Sequence, residues 1–347
     1  MRSIIIASTQ LQFINSIECL KYTGATSCDV IFLAHDKNRM KQLELISQLE
    51  CYKKVINRTY KLTRLCDKDR IIPWISFILV WLLIKYNTYS NCIIGHYMSS
   101  TSRHLLRMFS KTYNSDNLYV VDDGTASLLI DEKRREELAD RLPFKRFSIE
   151  GRLLRLYMIK KQDEYIPKRI KFYTVFNLKG NKYDTIIFNK YSYLRDNICS
   201  IPIDENLRLV DVVILGQPLC KFNVLGKTQY IRYIKNVMTT YKDKKVVYFP
   251  HPDEDNKQLL SYGLGNMQVV DNNYSIEIVS LFLTRCTTYI GFYTSALTTL
   301  KLFNPELNVY SIKINRNDLS EENFQVINRC YKSFVEENIK FLEYNAY

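Results

Sequence analysis

The sequence lacks the residue spacings that hold metal ions or disulfide frameworks. It has no CxxC pair, and its four histidines stand in neither HxxxH nor HExxH spacing. Its nine cysteines are irregularly spaced and odd in number, which predicts reduced, mostly buried thiols in a cytosolic protein. We therefore expect no zinc site.

A long hydrophobic run is also missing. The most apolar stretch, Ile71–Ile84, has about 14 residues, fewer than the ~20 needed to span a bilayer. The apolar run near the N-terminus, Ile4–Ala7, is too short for a signal peptide. We expect Ile71–Ile84 to form a helix buried in the core or in a homodimer interface. A membrane-dipping helix is the alternative, because two tryptophans lie on this stretch.

Positive charge, by contrast, is in excess. The 49 basic and 36 acidic residues give a net charge of +13, which favours a phosphate, a nucleotide, an acidic glycan or an anionic lipid as partner. No recognisable motif supports nucleic acid as a partner. Residues 131–171 are densely charged, and basic and apolar residues alternate there as in a basic amphipathic helix. This pattern predicts adhesion to an anionic membrane or to a lipid-linked acceptor, or else a solvated helix face.

Short apolar runs alternate with helical patterns along the chain, which predicts βαβ units and parallel strand pairing. The polar segment 195–207 is typical of a linker, and we place the boundary between an N-terminal domain, 1–200, and a C-terminal domain, 201–347. The fold class is then α/β, with two Rossmann-like domains facing a central cleft. This is the layout of two-domain glycosyltransferases that use nucleotide sugars.

The first candidate site follows a buried strand, Leu118–Val121, which ends in Asp122-Asp123-Gly124. Ligands of open α/β sheets bind at the carboxyl ends of strands, and two carboxylates there are candidates for base chemistry. The alternative is a simple turn, in which aspartate side chains bond nearby backbone N–H groups. His96 follows another predicted strand, Asn91–Gly95, and faces either a ligand or the protein interior.

Two further candidate sites lie in the second half. His251 stands between Pro250 and Pro252 at a strand end, where it can donate a hydrogen bond to a phosphate or a proton to a leaving group, or be structural. Thr294-Ser295 begins a predicted helix after the strand Thr288–Gly291. A helix start with two hydroxyls is a ready anion site, although capping alone would explain one of them.

These three motifs, in this order, resemble the acidic-acidic-glycine, His-Pro and Ser-Ser/Thr motifs of bacterial sialyltransferases. The segment Ser8–Glu18 is also similar to the opening strand-to-helix turn of the lipooligosaccharide sialyltransferase and polysialyltransferase groups, of glycosyltransferase family 52 or 38 type. The resemblance spans the chain from end to end, as short motifs only.

The resemblance implies a GT-B-like fold and an inverting, metal-independent transfer of sialic acid or a related nonulosonic acid from a CMP-activated donor to a glycan hydroxyl. The acceptor would be lipooligosaccharide or capsule, and no cofactor is implied. Asp123 would be the base, with Asp122 as the alternative, and Gln10 and His96 would lie on the acceptor side. The donor-binding residues would be Gly216, Gln217, His251, Pro252, Thr294 and Ser295. His251 would also support departure of the CMP phosphate.

The residues agree with metal independence, because no convincing Asp-x-Asp site ends a predicted strand. Asp67-Lys68-Asp69 lies in a basic, turn-like context, and Asp253-Glu254-Asp255 is better explained as the start of a helix. The expected location is the bacterial cytoplasm, peripheral at the inner face of the cytoplasmic membrane. The alternatives are a GT-B enzyme with another donor, CMP-Kdo or a UDP-sugar, and a non-catalytic polysaccharide- or membrane-binding subunit.

Overall fold

The computed structural model divides the chain into two compact units, residues 1–199 and 200–347. It describes residues 1–34, 36–63, 80, 82–97, 99, 102, 105, 109, 117–135, 169–198, 200–254, 259, 262, 267–270 and 273–344.

Unit 1 is built on a seven-stranded parallel sheet with the order β3-β2-β1-β4-β5-β6-β7. Its strands are β1 Arg2–Ala7, β2 Ser27–Ala34, β3 Ile56–Thr63, β4 Asn91–Ile94, β5 Leu118–Val121, β6 Lys171–Thr174 and β7 Thr185–Phe188. Its helices are α1 Gln10–Tyr22, α2 Lys37–Ser47, α3 Glu50–Lys53, α4 Ala126–Arg135 and α5 Ser192–Asn197. The central strands are continuous apolar runs, as expected for strands buried on both faces: the isoleucines of β1 are at most 1% exposed.

Unit 2 repeats this architecture with a six-stranded parallel sheet of order β10-β9-β8-β11-β12-β13. Its strands are β8 Val212–Leu215, β9 Val246–Phe249, β10 Gln268–Val269, β11 Thr288–Gly291, β12 Asn308–Lys313 and β13 Lys340–Glu343. Its α-helices are α6 Lys227–Thr240, α7 Ile276–Val279, α8 Ala296–Phe303 and α9 Glu321–Glu336. Strands β8 and β11 and helix α6 enclose a core of buried aliphatic and tyrosine side chains.

In both sheets the first strand lies in the middle and the strand order reverses beside it. This is the topological switch point of a Rossmann-like sheet, and ligands of such sheets bind outside the carboxyl ends of the strands there. In unit 1 the loops concerned follow β1, β4 and β5; in unit 2 they follow β8, β9 and β11. Each predicted motif stands on one of these loops.

Several sequence predictions shift in detail. The predicted linker 195–207 is partly helical, because α5 continues to Asn197 and a 3-10 turn covers Glu205–Leu209. Strands β6 and β13 were not predicted. Residues 136–168, which contain most of the predicted basic amphipathic helix, lie outside the described residues, as does Asp67-Lys68-Asp69.

Most of the apolar stretch Ile71–Ile84 also lies outside the described residues. Its described end is helical, and Val80, Leu83 and Ile84 are buried. Among all the helices of the described chain, none is both long and apolar enough to cross a membrane.

Candidate active-site residues

The two aspartates after β5 have different surroundings, although they are neighbours in sequence. Asp122 is 3% exposed, and it accepts hydrogen bonds from the Thr174 hydroxyl at 2.7 Å and the Val175 N–H at 2.8 Å. Asp123 is 24% exposed at its side chain. The Asp122 carboxylate is thus built into the end of β6, whereas the Asp123 carboxylate is accessible from outside.

Burial raises the pKa of Asp122 to about 6, against the opposing effect of its hydrogen bonds from Thr174, Val175 and Ser127. Its backbone carbonyl accepts a hydrogen bond from Asn15 of α1 at 3.2 Å. The Asn15 amide oxygen in turn accepts a hydrogen bond from Asn189 at 3.2 Å. These bonds tie α1 and the segment after β7 to the end of β5 and so fix the Asp122-Asp123 backbone.

Asp123 is held by side chains from two other strand ends. Gln12, in the first turn of α1 after β1, donates its amide N–H to Asp123 Oδ1 at 2.5 Å. His96 Nδ1, after β4, lies 2.8 Å from Asp123 Oδ2. A carboxylate can only accept, so a neutral His96 donates its Nδ1 proton to it. The remaining lone pairs of the Asp123 carboxylate can accept a hydrogen bond from a substrate hydroxyl.

The close approach of Gln12 depends on a glycine. Gly95, immediately before His96, lies against the Gln12 side chain, and a Cβ at this position would come within 2.5 Å of Gln12 Cβ. The Gln12 amide oxygen accepts the Ser8 N–H at 2.7 Å, which orients its N–H toward Asp123. A glycine at the end of β4 therefore leaves the space in which Gln12 reaches the carboxylate.

Gln12 was missed by the sequence analysis, which singled out Gln10 in the same segment. The Gln10 side chain is buried and donates to the Gln42 carbonyl on α2 at 2.9 Å. The only signal for Gln12 in the sequence was its position near a predicted helix start that contains two glutamines, Gln10 and Gln12. Which of them faces the neighbouring strand ends depends on the helix start, at the Thr9 cap, and on the space left by Gly95.

In unit 2, His251 begins a tight turn after β9. The Glu254 N–H donates to the His251 carbonyl at 2.8 Å, which closes the turn around Pro252 and Asp253. His251 Nδ1 accepts the Asp253 N–H at 3.1 Å. The same nitrogen is 3.7 Å from Asp253 Oδ2, too far for a hydrogen bond. In neutral His251, Nδ1 is therefore the acceptor and Nε2 carries the proton, so the ring can donate through Nε2.

Glu254 has a larger role than the helix-start residue that the sequence predicted. Its Oε2 accepts the His251 N–H at 2.8 Å, and its Oε1 accepts the Tyr248 hydroxyl at 2.7 Å. Burial raises its pKa, although its hydrogen-bond donors oppose this shift. The sequence analysis predicted neither of these two contacts, because it considered only the charge of Glu254 at a helix start.

Gly216 and Gln217 end β8 beside this turn. A Cβ at Gly216 would overlap Glu254 Oε2 and lie 2.6 Å from the Tyr248 hydroxyl, so a larger residue would displace these two side chains. The Gln217 side-chain oxygen accepts the Tyr293 N–H at 2.9 Å and thereby joins the loops after β8 and β11.

The two hydroxyl side chains at the start of α8 have different contacts. Thr294 Oγ1 accepts the Ala296 N–H at 3.3 Å, which is a capping contact. Ser295 occupies the N-cap position, is 8% exposed and makes no side-chain cap bond. The first backbone N–H groups of a helix favour an anion at this position.

Within the described part of the chain, no group of three or more His, Cys, Asp or Glu side chains is placed to hold a metal ion. The seven cysteines described are all free thiols.

Comparison with known families identifies the chain. The model of glycosyltransferase family 52 matches residues 37–316. The chain belongs to glycosyltransferase family 52. The motifs found in the sequence therefore belong to a glycosyltransferase, and of the two family types suggested by the resemblance the first is the correct one. A search of curated proteins found no match.

Solved structures show that this family 52 protein has the GT-B fold. An α/β-galactoside α-2,3-sialyltransferase from Photobacterium phosphoreum is 12% identical over 98% of each chain, with a TM-score of 0.51. A 2,6-sialyltransferase from Photobacterium sp. JT-ISH-224, solved with CMP and lactose, is 10% identical over 98% of this chain and 78% of its own, with a TM-score of 0.52.

A UDP-N-acetylglucosamine 2-epimerase from Listeria monocytogenes matches equally well, with 11% identity over 98% of this chain and 91% of its own and a TM-score of 0.54. The shared fold therefore does not select the reaction, whose donor and acceptor depend on the residues of the site.

Proposed function

We propose that this family 52 glycosyltransferase transfers sialic acid or a related nonulosonic acid from a CMP-activated donor to a glycan hydroxyl, with inversion and without a metal ion. The observation that carries the proposal is the Asp123 carboxylate, held by Gln12 and His96 at the carboxyl edge of the unit 1 sheet. Asp123 can therefore act as a base. At the carboxyl edge of its own sheet, unit 2 carries His251 and the two hydroxyls at the start of α8.

The reaction needs one proton to be removed and one phosphate to be released. Asp123 takes the proton of the acceptor hydroxyl as its oxygen forms a bond to the anomeric carbon of the donor sugar. The bond from that carbon to the phosphate oxygen breaks, and its electron pair leaves with CMP. Attack opposite the leaving group inverts the anomeric centre.

The residues of unit 2 suit the leaving phosphate. Nε2–H of His251 can donate a hydrogen bond or a proton to it, and the N–H groups and hydroxyls at Thr294 and Ser295 can hold its negative charge. CMP leaves as a monophosphate, so no divalent ion is needed to bridge a diphosphate. Gly216, Gln217 and Pro252 shape the loops around this position.

The acceptor and the location form a second part of the proposal. A net charge of +13 and the basic segment 131–171 support peripheral contact with an anionic membrane at the inner face of the bacterial cytoplasmic membrane. A lipid-linked glycan, either lipooligosaccharide or capsule, is the acceptor that such a location would present. A homodimer through the apolar stretch Ile71–Ile84 belongs to the same proposal.

The test compares two neighbouring carboxylates in a transfer assay with CMP-sialic acid and a galactoside acceptor in the presence of EDTA. We expect Asp123→Asn to lower turnover by about 10²- to 10⁴-fold, the usual contribution of a general base. Asp122→Asn is the matched control and should keep most of the activity, because its carboxylate is enclosed by Thr174 and Val175. Equal losses in both variants, or wild-type turnover that requires added metal, would refute the assignment.

A further inference from the structure

We infer that Glu254, together with Tyr230 and Tyr248, is a positioning residue that fixes the orientation and the tautomer of His251. This inference rests on the proposed function, in which His251 faces the leaving phosphate. Glu254, Tyr230 and Tyr248 were not among the predicted site residues, and the hydrogen bonds that join them lie within unit 2.

The network is a cluster of hydrogen bonds around the Glu254 carboxylate. The Gln217 N–H donates to the Tyr230 hydroxyl at 3.4 Å, and the Tyr230 and Tyr248 hydroxyl oxygens are 2.6 Å apart. Tyr248 then donates to Glu254 Oε1 at 2.7 Å. The Tyr230 hydroxyl also lies 3.2 Å from Glu254 Oε1, so the hydroxyls of both tyrosines meet at the same carboxylate oxygen.

The far side of the same carboxylate holds the backbone of the turn. Glu254 Oε2 accepts the His251 N–H at 2.8 Å, and the Glu254 N–H returns a bond to the His251 carbonyl. Both backbone polar groups of His251 are thus bound to one residue. The turn fixed in this way places the Asp253 N–H against His251 Nδ1, so the ring proton stays on Nε2.

The network also connects the loops at the switch point of the unit 2 sheet. Tyr230 lies on α6 and bonds the loop after β8 at Gln217, whose side chain bonds Tyr293 after β11. Glu254 adds the loop after β9. The loops that carry the Gly216-Gln217, His251 and Thr294-Ser295 motifs are therefore held relative to one another by partly buried hydrogen bonds.

Two features indicate that this arrangement does more than fill the core. Gly216 is compatible with it only because it has no side chain, since a Cβ there would overlap Glu254 Oε2. Burying a carboxylate is costly, and an apolar side chain would fill the same space at lower cost. Glu254 supplies what an apolar side chain cannot, an acceptor for the N–H of His251.

The experiment combines turnover with ¹⁵N NMR of the histidine rings, which reports which ring nitrogen carries the proton. In the wild-type protein we expect His251 Nδ1 to be unprotonated at neutral pH. Glu254→Gln should lower turnover by between about tenfold and a hundredfold, as a misplaced catalytic group does. The His251 ring signals should shift toward an average of the two tautomers, while the CMP affinity changes little.

Tyr248→Phe is a second variant, for use if Glu254→Gln folds poorly. It keeps the ring and removes only the hydroxyl, so it should produce the same changes to a smaller extent. Tyr233→Phe is the matched control. Tyr233 lies on the same helix, and its hydroxyl bonds Asp318 and the Asn315 N–H, away from these loops. It should leave both turnover and the His251 signals unchanged.

Unchanged His251 ring signals in Glu254→Gln would overturn the inference, whether turnover falls or not, because Glu254 would then have a structural role only. The NMR measurement needs no substrate. A wild-type protein without CMP-dependent transfer would refute the proposed function, and the tautomer comparison would still decide the role of Glu254.

Discussion

At the scale of single residues, the acidic pair after β5 shows how identical side chains acquire different roles. The carboxylates of Asp122 and Asp123 bond different parts of unit 1. Asp122 enters the protein and bonds Thr174 and Val175, whereas Asp123 meets Gln12 and His96. From the sequence either aspartate could be the base, because Gln12 and Thr174, two of the partners that distinguish them, lie 111 and 52 residues away.

The buried member of the pair predicts a pH dependence of folding. The pKa of Asp122 is about 6 in the folded chain and about 3.9 in an unfolded one. Between these values the folded state binds more protons, so the free energy of unfolding falls as the pH rises from about 4 to about 6 and is constant above. Asp122→Asn removes this pH-dependent contribution to the free energy of unfolding.

We therefore expect the stability of Asp122→Asn, relative to the wild type, to improve by on the order of 2 kcal/mol between pH 4 and pH 7. Urea denaturation at several pH values measures this difference. Parallel stability profiles for the two proteins would show that Asp122 titrates normally in the folded chain.

At the scale of elements, apolar β-branched runs were sufficient to predict most strands. Two strands, β6 and β13, were not predicted, for a physical reason. Strand β6, KFYT, and strand β13, KFLE, are short and begin with lysine. Strand β13 lies at the sheet edge and has two exposed ends, which is common in edge strands. Such strands form because a neighbouring strand offers hydrogen bonds, and that information is not local in sequence.

Helix α4 is fastened to the β6–β7 region by a buried ion pair. Arg134 donates to both carboxylate oxygens of Asp184 at 2.6 and 2.7 Å, and the two side chains are 2% and 0% exposed. Asp184 also accepts the Ile170 N–H at 3.0 Å. The next residue, Arg135, bonds Asp131 at 3.0 Å but is 42% exposed.

These adjacent arginines form a matched test. Arg134→Met should lower the free energy of unfolding by about 3 kcal/mol, because it leaves a buried carboxylate without its counter-charge. Arg135→Met should cost less than about 1 kcal/mol, since the Arg135 side chain is largely solvated and the Asp131 carboxylate keeps its hydrogen bonds from the Lys179 and Gly180 N–H groups. Chemical denaturation of both variants gives the comparison, and equal losses would mean that the Arg134–Asp184 pair is solvated in solution.

At the scale of the whole molecule, the same sheet order occurs twice, and each sheet carries a different half of the proposed chemistry. The base and its donors stand on the loops of unit 1, and the groups suited to the phosphate stand on the loops of unit 2. The motif order was visible in the sequence, because each motif directly follows an apolar run. The supporting residues Gln12, Tyr230, Tyr248 and Glu254 have no such signal, since they reach the motifs through tertiary contacts.

This division predicts where a cytidine nucleotide will act on the molecule. A ligand at 100 times its Kd stabilises the state that binds it by about 2.7 kcal/mol, so it slows hydrogen exchange in the segments that hold it. We expect CMP to protect residues 216–219, 251–254 and 293–296 and to leave residues 95–97 and 122–125 unaffected. Asp123→Asn should show the same protection by CMP as the wild type, because residue 123 lies in unit 1 and the protected segments lie in unit 2. Protection by UDP but not CMP would assign a different donor, and protection confined to unit 1 would reverse the roles proposed for the two sheets.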